Sequence, residues 1–237
     1  MKKEGGFVYL TAEEMAALDR EAIEDYGIDV LALMENAGVA TAQLARRMLG
    51  GDVKGLSITC LVGKGNNGGD GLVAARHLHD WGADVRVLLA GEKSSLRDVP
   101  ARQLAIVERM EIPIEGPEAD LGGVRLLIDA LLGYSSKGNP REPMARMIRR
   151  ANSSEVPILA VDIPSGIDAS TGEPGDPSVR AKATVTFGLP KTGFLHPVAR
   201  GHVGDLYLAD ISMPGRIYAS LGVGRDVFSR DALVRIW

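Results

Sequence analysis

Three short polar clusters in the chain hold residue types that can do chemistry. The first is Gly63-Lys64-Gly65-Asn66-Asn67-Gly68-Gly69-Asp70-Gly71, two amides and a carboxylate among glycines. The second joins Asp129 to Gly133-Tyr134-Ser135-Ser136-Lys137-Gly138-Asn139, and the third is Asp162-Ile163-Pro164-Ser165-Gly166. Asp129 interrupts an apolar run, Leu126-Leu127-Ile128-Asp129-Ala130-Leu131-Leu132, where a carboxylate needs hydrogen bonds or a cation to offset its burial. Two readings stay open for it, satisfaction by loop N–H groups and a ligand role. With Asn67 and Ser165 beside it, the donors are one carboxylate and neutral oxygens, which suit a hard cation and offer nothing to zinc or copper. The low charge count favours a monovalent ion. Asp162 also ends an apolar run, and the Pro164 and Gly166 that follow fix a turn. Its carboxyl group either exchanges protons as a general acid and base or caps that turn as a structural group.

The first cluster contains a formal Gly-x-Gly-x-x-Gly at Gly63, Gly65 and Gly68, with Glu92 further on as a candidate ribose acid. Taken alone this is a dinucleotide fingerprint for hydride transfer. Asp70 is expected at or near the following helix N-cap, where its carboxylate competes with a phosphate for free N–H groups, so that reading is set aside. Lys191, in Gly188-Leu189-Pro190-Lys191, follows a strand, where it either contacts an anionic ligand or is, as lysines mostly are, an exposed loop residue, the reading preferred here. Met34-Glu35-Asn36-Ala37-Gly38 sets polar groups in an apolar helical face. They line a cleft or a subunit contact, or are satisfied within the core. His77, His79, His196 and His202 show no metal-ligand spacing with acids or with Cys60.

The elements that must position these clusters follow from the hydrophobic pattern. Thr11 and Glu14 have capping-box spacing and open a helix over 11–26; a second helix follows Asp29 and stops at Gly50-Gly51. Short apolar runs at 56–62, 85–90, 124–131, 156–161, 183–187 and 206–211 predict strands, and helical stretches are predicted at 70–81, 101–109 and 143–150. Alternation of strand and helix implies a mainly parallel sheet with helices on both faces, a three-layer αβα, Rossmann-like arrangement. The strands after Ser165 lack helices between them and are expected to pair antiparallel at one edge. The Gly/Pro-rich stretch 168–177 is expected to be a loop, giving one domain over 1–237. In such a sheet the ligand site lies outside the carboxyl ends of the strands, where all three clusters fall.

Composition bounds the function. The chain has 237 residues, 45% apolar and 24% charged, with a net charge of −4 and a single cysteine. These values belong to a globular protein, and the mixed, mildly acidic charge gives no footprint for nucleic acid or a membrane surface. Cys60 has no partner for a disulfide within the chain, which suits a reducing compartment. The amino-terminal apolar run is too short for a secretory signal, and a cytoplasmic location is expected.

With these residues set out, the sequence resembles the NAD(P)H-hydrate epimerases, a family that includes vertebrate proteins named for binding apolipoprotein A-I. The similarity rests on Met34-Glu35-Asn36-Ala37-Gly38, on Gly63 to Gly71 with Leu72-Val73-Ala74-Ala75-Arg76, and on Asp129-Ala130-Leu131-Leu132-Gly133. It continues in Val161-Asp162-Ile163-Pro164-Ser165-Gly166-Ile167-Asp168 and in Thr186-Phe187-Gly188-Leu189-Pro190-Lys191. The resemblance implies a Rossmann-like protein, usually dimeric, that interconverts the R and S epimers of hydrated NADH and NADPH. It implies that Asn66, Asn67, Gly68, Gly69 and Asp70, with Gly133, Tyr134, Ser135, Ser136, Lys137, Gly138 and Asn139, hold the hydrated dinucleotide, and that Asp162 contacts it. It further implies a potassium ion on Asn67, Asp129 and Ser165. In many microbes a kinase-like dehydratase domain is fused to this one; the present sequence is too short to hold it, so the resemblance implies either a naturally single-domain protein, with a separate dehydratase as companion, or a piece of a longer chain. The catalytic work falls to Asp162. The rival readings are a nicotinamide-dependent oxidoreductase and a non-catalytic module that binds a nucleotide or a protein in the same cleft.

Overall fold

A computed structural model describes residues 1–224 and 227–237. The chain opens with an antiparallel hairpin, β1 (Lys2–Glu4) and β2 (Phe7–Tyr9). Helix α1 (Ala12–Arg20) follows, started by the capping box: Glu14 N donates to Thr11 Oγ1 at 3.2 Å, and Thr11 N donates to Glu14 Oε2 at 2.8 Å. Two orphan N–H groups at the helix start are thereby satisfied. A wide π-helical turn over Glu21–Asp25 leads to α2 (Val30–Met48), capped by Asp29. Then come β3 (Ser57–Val62), α3 (Asn66–Asp80), β4 (Asp84–Leu89), α4 (Asp98–Arg109), β5 (Ile114–Glu115) and β6 (Leu126–Ala130). The remainder is α5 (Met144–Ser153), β7 (Ile158–Val161), β8 (Ala183–Phe187), α6 (Pro197–Val203), β9 (Asp205–Ala209), α7 (Gly215–Ser220) and β10 (Leu233–Arg235).

Eight strands form one sheet in the order β10-β9-β8-β7-β6-β3-β4-β5. Side-chain alternation divides its strands between two cores, as a period of two requires. In β3, Ile58, Cys60 and Val62 join the core under α2, α3 and α4, whereas Leu61 faces the core with Met147 and Ile148 of α5. In β6, Leu126, Ile128 and Ala130 point to the first side and Leu127 to the second. Each Leu, Ile or Val side chain fully buried this way contributes about 1.5–3 kcal/mol of transfer free energy. Both faces are covered, and that is why the strands read as near-continuous apolar runs.

The pairing corrects the expectation for the late strands. β7 and β8 are parallel to both neighbours and β9 to β8, and among the described strands of this sheet only β10 runs antiparallel, at the edge beside β9. The crossover from β8 to β9 does have a helix, α6, but seven residues opening with Pro197 and holding Gly201 give too short a period to read. The 168–177 stretch lies in the loop between β7 and β8.

Order reverses between β3 and β6: the chain leaves β3 toward β4 and β5 on one side, then returns to place β6 on the other. This is the topological switch point where a ligand crevice is expected. The turn from β3 into α3 is tight enough to demand glycine. A Cβ on Gly63 would sit 1.9 Å from the Leu131 carbonyl oxygen, and one on Gly68 would sit 2.0 Å from the Gly63 carbonyl oxygen.

Candidate active site

The carboxyl ends of β3, β6, β7 and β8 meet beneath α1 and α2 around a cavity of about 650 Å³. Asp162, the residue after β7, is at its floor, 5% exposed and with a φ of +66°. A left-handed conformation at a residue with a Cβ costs of order 1–3 kcal/mol and persists only where the surroundings enforce it. Here Asp162 N donates to Val185 O of β8 at 2.7 Å, and the carboxylate is fixed from two sides. Lys191 Nζ donates to Oδ1 at 2.5 Å, and Tyr134 N donates to Oδ2 at 3.1 Å. The strain and the two donors together aim one carboxyl group into the cavity.

Lys191 overturns the expectation of an exposed loop lysine: its exposure is 0%. Besides Asp162, its ammonium donates to Thr186 Oγ1 at 2.8 Å and Phe187 O at 3.3 Å, and it lies 5.8 Å from the Tyr134 ring centroid. The amino-terminal segment pins its backbone, with Leu10 N donating to Pro190 O and Thr192 N to Leu10 O. Three oxygen acceptors compensate the buried ammonium, whose burial without partners is far more costly. Lysine's usual place at the surface hid this in the sequence; only its position after a strand end pointed to the site.

Two further carboxyl groups line the cavity. Asp19 of α1 accepts a hydrogen bond from Tyr134 Oη at 2.7 Å, and Asp70 of α3 has no side-chain hydrogen-bond partner among the described residues. Burial, with Asp162 and Asp19 as like charges nearby, holds the Asp70 carboxyl well above the usual carboxylate range, and burial also raises that of Asp19. Burial and the Asp19 carboxylate raise the Tyr134 phenol, so it remains a donor. Asp70 is the fifth residue of α3, whose N-cap is Gly65 with no side-chain cap. The expected competition between Asp70 and a phosphate at the N-cap is therefore absent; the carboxyl group faces the cavity from the helix's second turn. Asp19 carried no sequence motif, and its pairing with Tyr134 spans 115 positions.

The other expected residues divide. Asn66, Asn67, Gly133, Tyr134, Ser135 and Ser136 line the cavity. Gly68 and Gly69 lie behind it, Gly69 because its Cα packs on Met34, where a Cβ would come within 2.4 Å of that methyl group. Lys137, Gly138 and Asn139 are outside: Lys137 Nζ reaches Glu13 at 3.3 Å, and Asn139 Oδ1 accepts from Asp176 N at 3.0 Å. Glu35 and Asn36 are structural, Glu35 joining Arg76 and His77 at 2.5 and 2.7 Å and Asn36 donating to Ser212 Oγ at 2.9 Å. Glu92 is exposed and does not line the cavity. Cys60 is buried mid-strand with its thiol pushed up to about 12 by burial, which makes it inert.

Behind the floor, Asp129 is fully buried and accepts from Ser165 Oγ at 2.6 Å, Ser165 N at 2.8 Å and Leu131 N at 3.3 Å. These bonds do not offset its desolvation, and its carboxyl is pushed up to about 6. Ser165 Oγ in turn accepts from Leu132 N at 2.9 Å, and the next residue, Gly133, packs on Asn67. Asn67 is 9% exposed, yet neither its Oδ1 nor its Nδ2 has a partner. Two unpaired buried amide atoms cost on the order of 1–3 kcal/mol each, so the site is built around something further. Among the described residues no three His, Cys, Asp or Glu side chains cluster as metal ligands, and no helix is long and apolar enough to cross a membrane.

Fold and site together define a Rossmann-like α/β protein with a buried carboxylate–lysine pair at the switch point of its sheet. The family described as YjeF-related protein N-terminus matches residues 30–193, and the chain belongs to it. It is 36% identical over 232 residues to an NAD(P)H-hydrate epimerase of Dehalogenimonas lykanthroporepellens, covering 96% of this chain and 92% of that protein. It is also 36% identical over 237 residues to a bifunctional NAD(P)H-hydrate repair enzyme Nnr of Moorella thermoacetica, of which it spans only 44%. The crystal structure of yeast ynu0, YNL200c, superposes with a TM-score of 0.83 at 25% identity, covering 96% of this chain and 99% of that one.

Proposed function

We propose that this protein is an NAD(P)H-hydrate epimerase, interconverting the R and S forms of hydrated NADH and NADPH. The observation that carries the chemistry is the Asp162 carboxylate, held at 2.5 Å by the buried Lys191 ammonium and open to a cavity large enough for a nucleotide.

In the hydrate a hydroxyl group stands on a ring carbon bonded to the ring nitrogen. Protonating that hydroxyl lets the nitrogen lone pair expel water and leaves a planar iminium, to which water returns on either face. The reaction needs one group that gives a proton and takes one back, and Asp162 does both. Lys191 keeps the carboxylate facing the ring and stabilises it once ionised. Burial and the like charges of Asp162 and Asp19 favour the protonated form of Asp70 beside the reacting group. Asn66, Asn67 and Asp70 from α3, and Gly133 to Ser136 from the loop after β6, hold the substrate.

The donor set also fits a potassium ion. Asn67 Oδ1 lacks a partner, Asp129 is a buried carboxylate short of compensation, Ser165 Oγ lies beside it, and all are hard oxygens. When bound there, potassium supplies positive charge behind the loop that presents Tyr134 N to Asp162. The same reading includes a homodimer, a cytoplasmic setting and a hydrate dehydratase activity as companion, supported by the resemblance alone. The testing experiment is chromatographic exchange of the hydrate epimers by purified protein. Asp162→Asn is expected to abolish exchange and to keep dinucleotide binding.

A further inference from the structure

The charges around the cavity are unevenly placed. Asp19, Asp70 and Asp162 crowd its deep end, and the one cation there among the described residues, Lys191, is paired with Asp162. A dinucleotide carries at least two negative charges on its diphosphate, and they cannot be seated among those carboxylates. The rim offers cations at two places. Arg20 stands one helical turn from Glu24, a carboxylate on its own wall. Lys64 and Arg97, from the segments that precede α3 and α4, line the cavity too, exposed and without an ion-pair partner among the described residues.

These two cations are tied together although 33 positions separate them. Arg97 N donates to Lys64 O at 3.1 Å, which holds the start of α4 against the turn that opens α3. Lys64 immediately precedes Gly65, the N-cap of α3, and Gly65 has no side chain to occupy the first-turn N–H groups. A 15-residue helix with an uncapped amino terminus presents free donors and a favourable dipole to an anion. The independent sign that a ligand belongs here is Asn67 in that first turn, nine-tenths buried with its Nδ2 unpaired.

We infer that Lys64 and Arg97 form a phosphate clamp, which with the α3 amino terminus anchors the substrate's phosphate groups at the rim while its ring reaches Asp162. This rests on the epimerase reading for the identity of the substrate. The clamp supplies binding that is uniform through the reaction, so its loss raises KM and leaves kcat.

The test uses Lys64→Ala, Arg97→Ala and the double variant of the full chain, with Arg102→Ala, an exposed α4 cation outside the cavity, as control. Exchange kinetics are measured on hydrated NADH and hydrated NADPH. Each clamp variant is expected to raise KM about tenfold, the size of a charge-assisted hydrogen bond lost at a rim. Arg102→Ala is expected to leave KM alone, and salt should raise the KM of wild type more than that of the double variant. Equal losses on both substrates assign the clamp to the diphosphate; a loss confined to hydrated NADPH assigns it to the 2′-phosphate. Wild-type KM values for the double variant on both substrates would overturn the clamp. Absence of exchange by wild-type protein would instead overturn the epimerase reading. In that case calorimetric titration with ADP-ribose decides the clamp, which stands if wild type binds and the double variant binds at least tenfold more weakly, and falls otherwise.

Discussion

Replacing Lys191 with methionine removes an ammonium and keeps most of the side-chain volume. The change acts on a pair 2.5 Å apart, with Lys191 fully buried and Asp162 5% exposed. Water cannot replace the lost cation, and Asp19 and Asp70 add like charge to the same cavity. Breaking a buried pair by deleting one partner costs about 3–5 kcal/mol. Thr186 Oγ1 and Phe187 O also lose their donor, though both are weaker acceptors than a carboxylate. The sign with pH follows from linkage. Asp70 and Asp19, whose carboxyls burial already raises and Lys191 lowers, bind protons more tightly in the folded state than in the unfolded one once that cation is gone, so stability falls as pH rises above about 4. Urea melts of Lys191→Met should show the full deficit at pH 8 and a much smaller one at pH 5, and adding Asp162→Asn should recover most of it. Epimer exchange should fall by about 10²–10⁴, the range of a misdirected general acid and base. A deficit equal at both pH values, together with wild-type exchange, would refute the role given to the pair.

Asp70→Asn should raise stability at pH 7 to 8, because it removes a carboxyl whose ionisation the fold opposes. Every tenfold weakening of the acid costs the folded state about 1.4 kcal/mol, and the gain should shrink toward pH 4, as shown by melting across that range. Potassium should raise the melting temperature relative to a large organic cation, by the mass-action increment expected for a ligand of the native state, and Asn67→Ala should erase that difference. Tyr134→Phe leaves Asp19 Oδ2 without its 2.7 Å donor while the Tyr134 N–H still reaches Asp162. It should raise KM severalfold and leave the pH profile of kcat in place, whereas a moved profile would put the phenol in the proton path.

Much of this was legible in the chain. Short apolar runs gave six sheet strands, and the Asn-Asn-Gly-Gly-Asp and Asp-Ile-Pro-Ser-Gly clusters fell at strand ends, where a parallel sheet puts its ligand site. Asp129 as a lone acid in an apolar run announced a burial in need of compensation, of which Ser165 and Leu131 N supply only a part. What stayed hidden was short or long-range. β5 has two residues and β10 three, too few for any period, and α6 is broken by glycine. Asp70 was misplaced because α3 starts four residues earlier than expected, on glycines and amides whose helix propensity is poor. Lys191 and Asp19 escaped because burial of a charged residue depends on a partner distant in sequence: Asp162 lies 29 positions from Lys191, and Tyr134 lies 115 from Asp19.

The central claim is tested most directly by following the R epimer of hydrated NADH over time with purified protein, in potassium and in a large organic cation. The account predicts conversion toward the equilibrium epimer mixture far faster than in buffer, faster with potassium, and lost in Asp162→Asn. Conversion at the buffer rate by folded protein in potassium would contradict it.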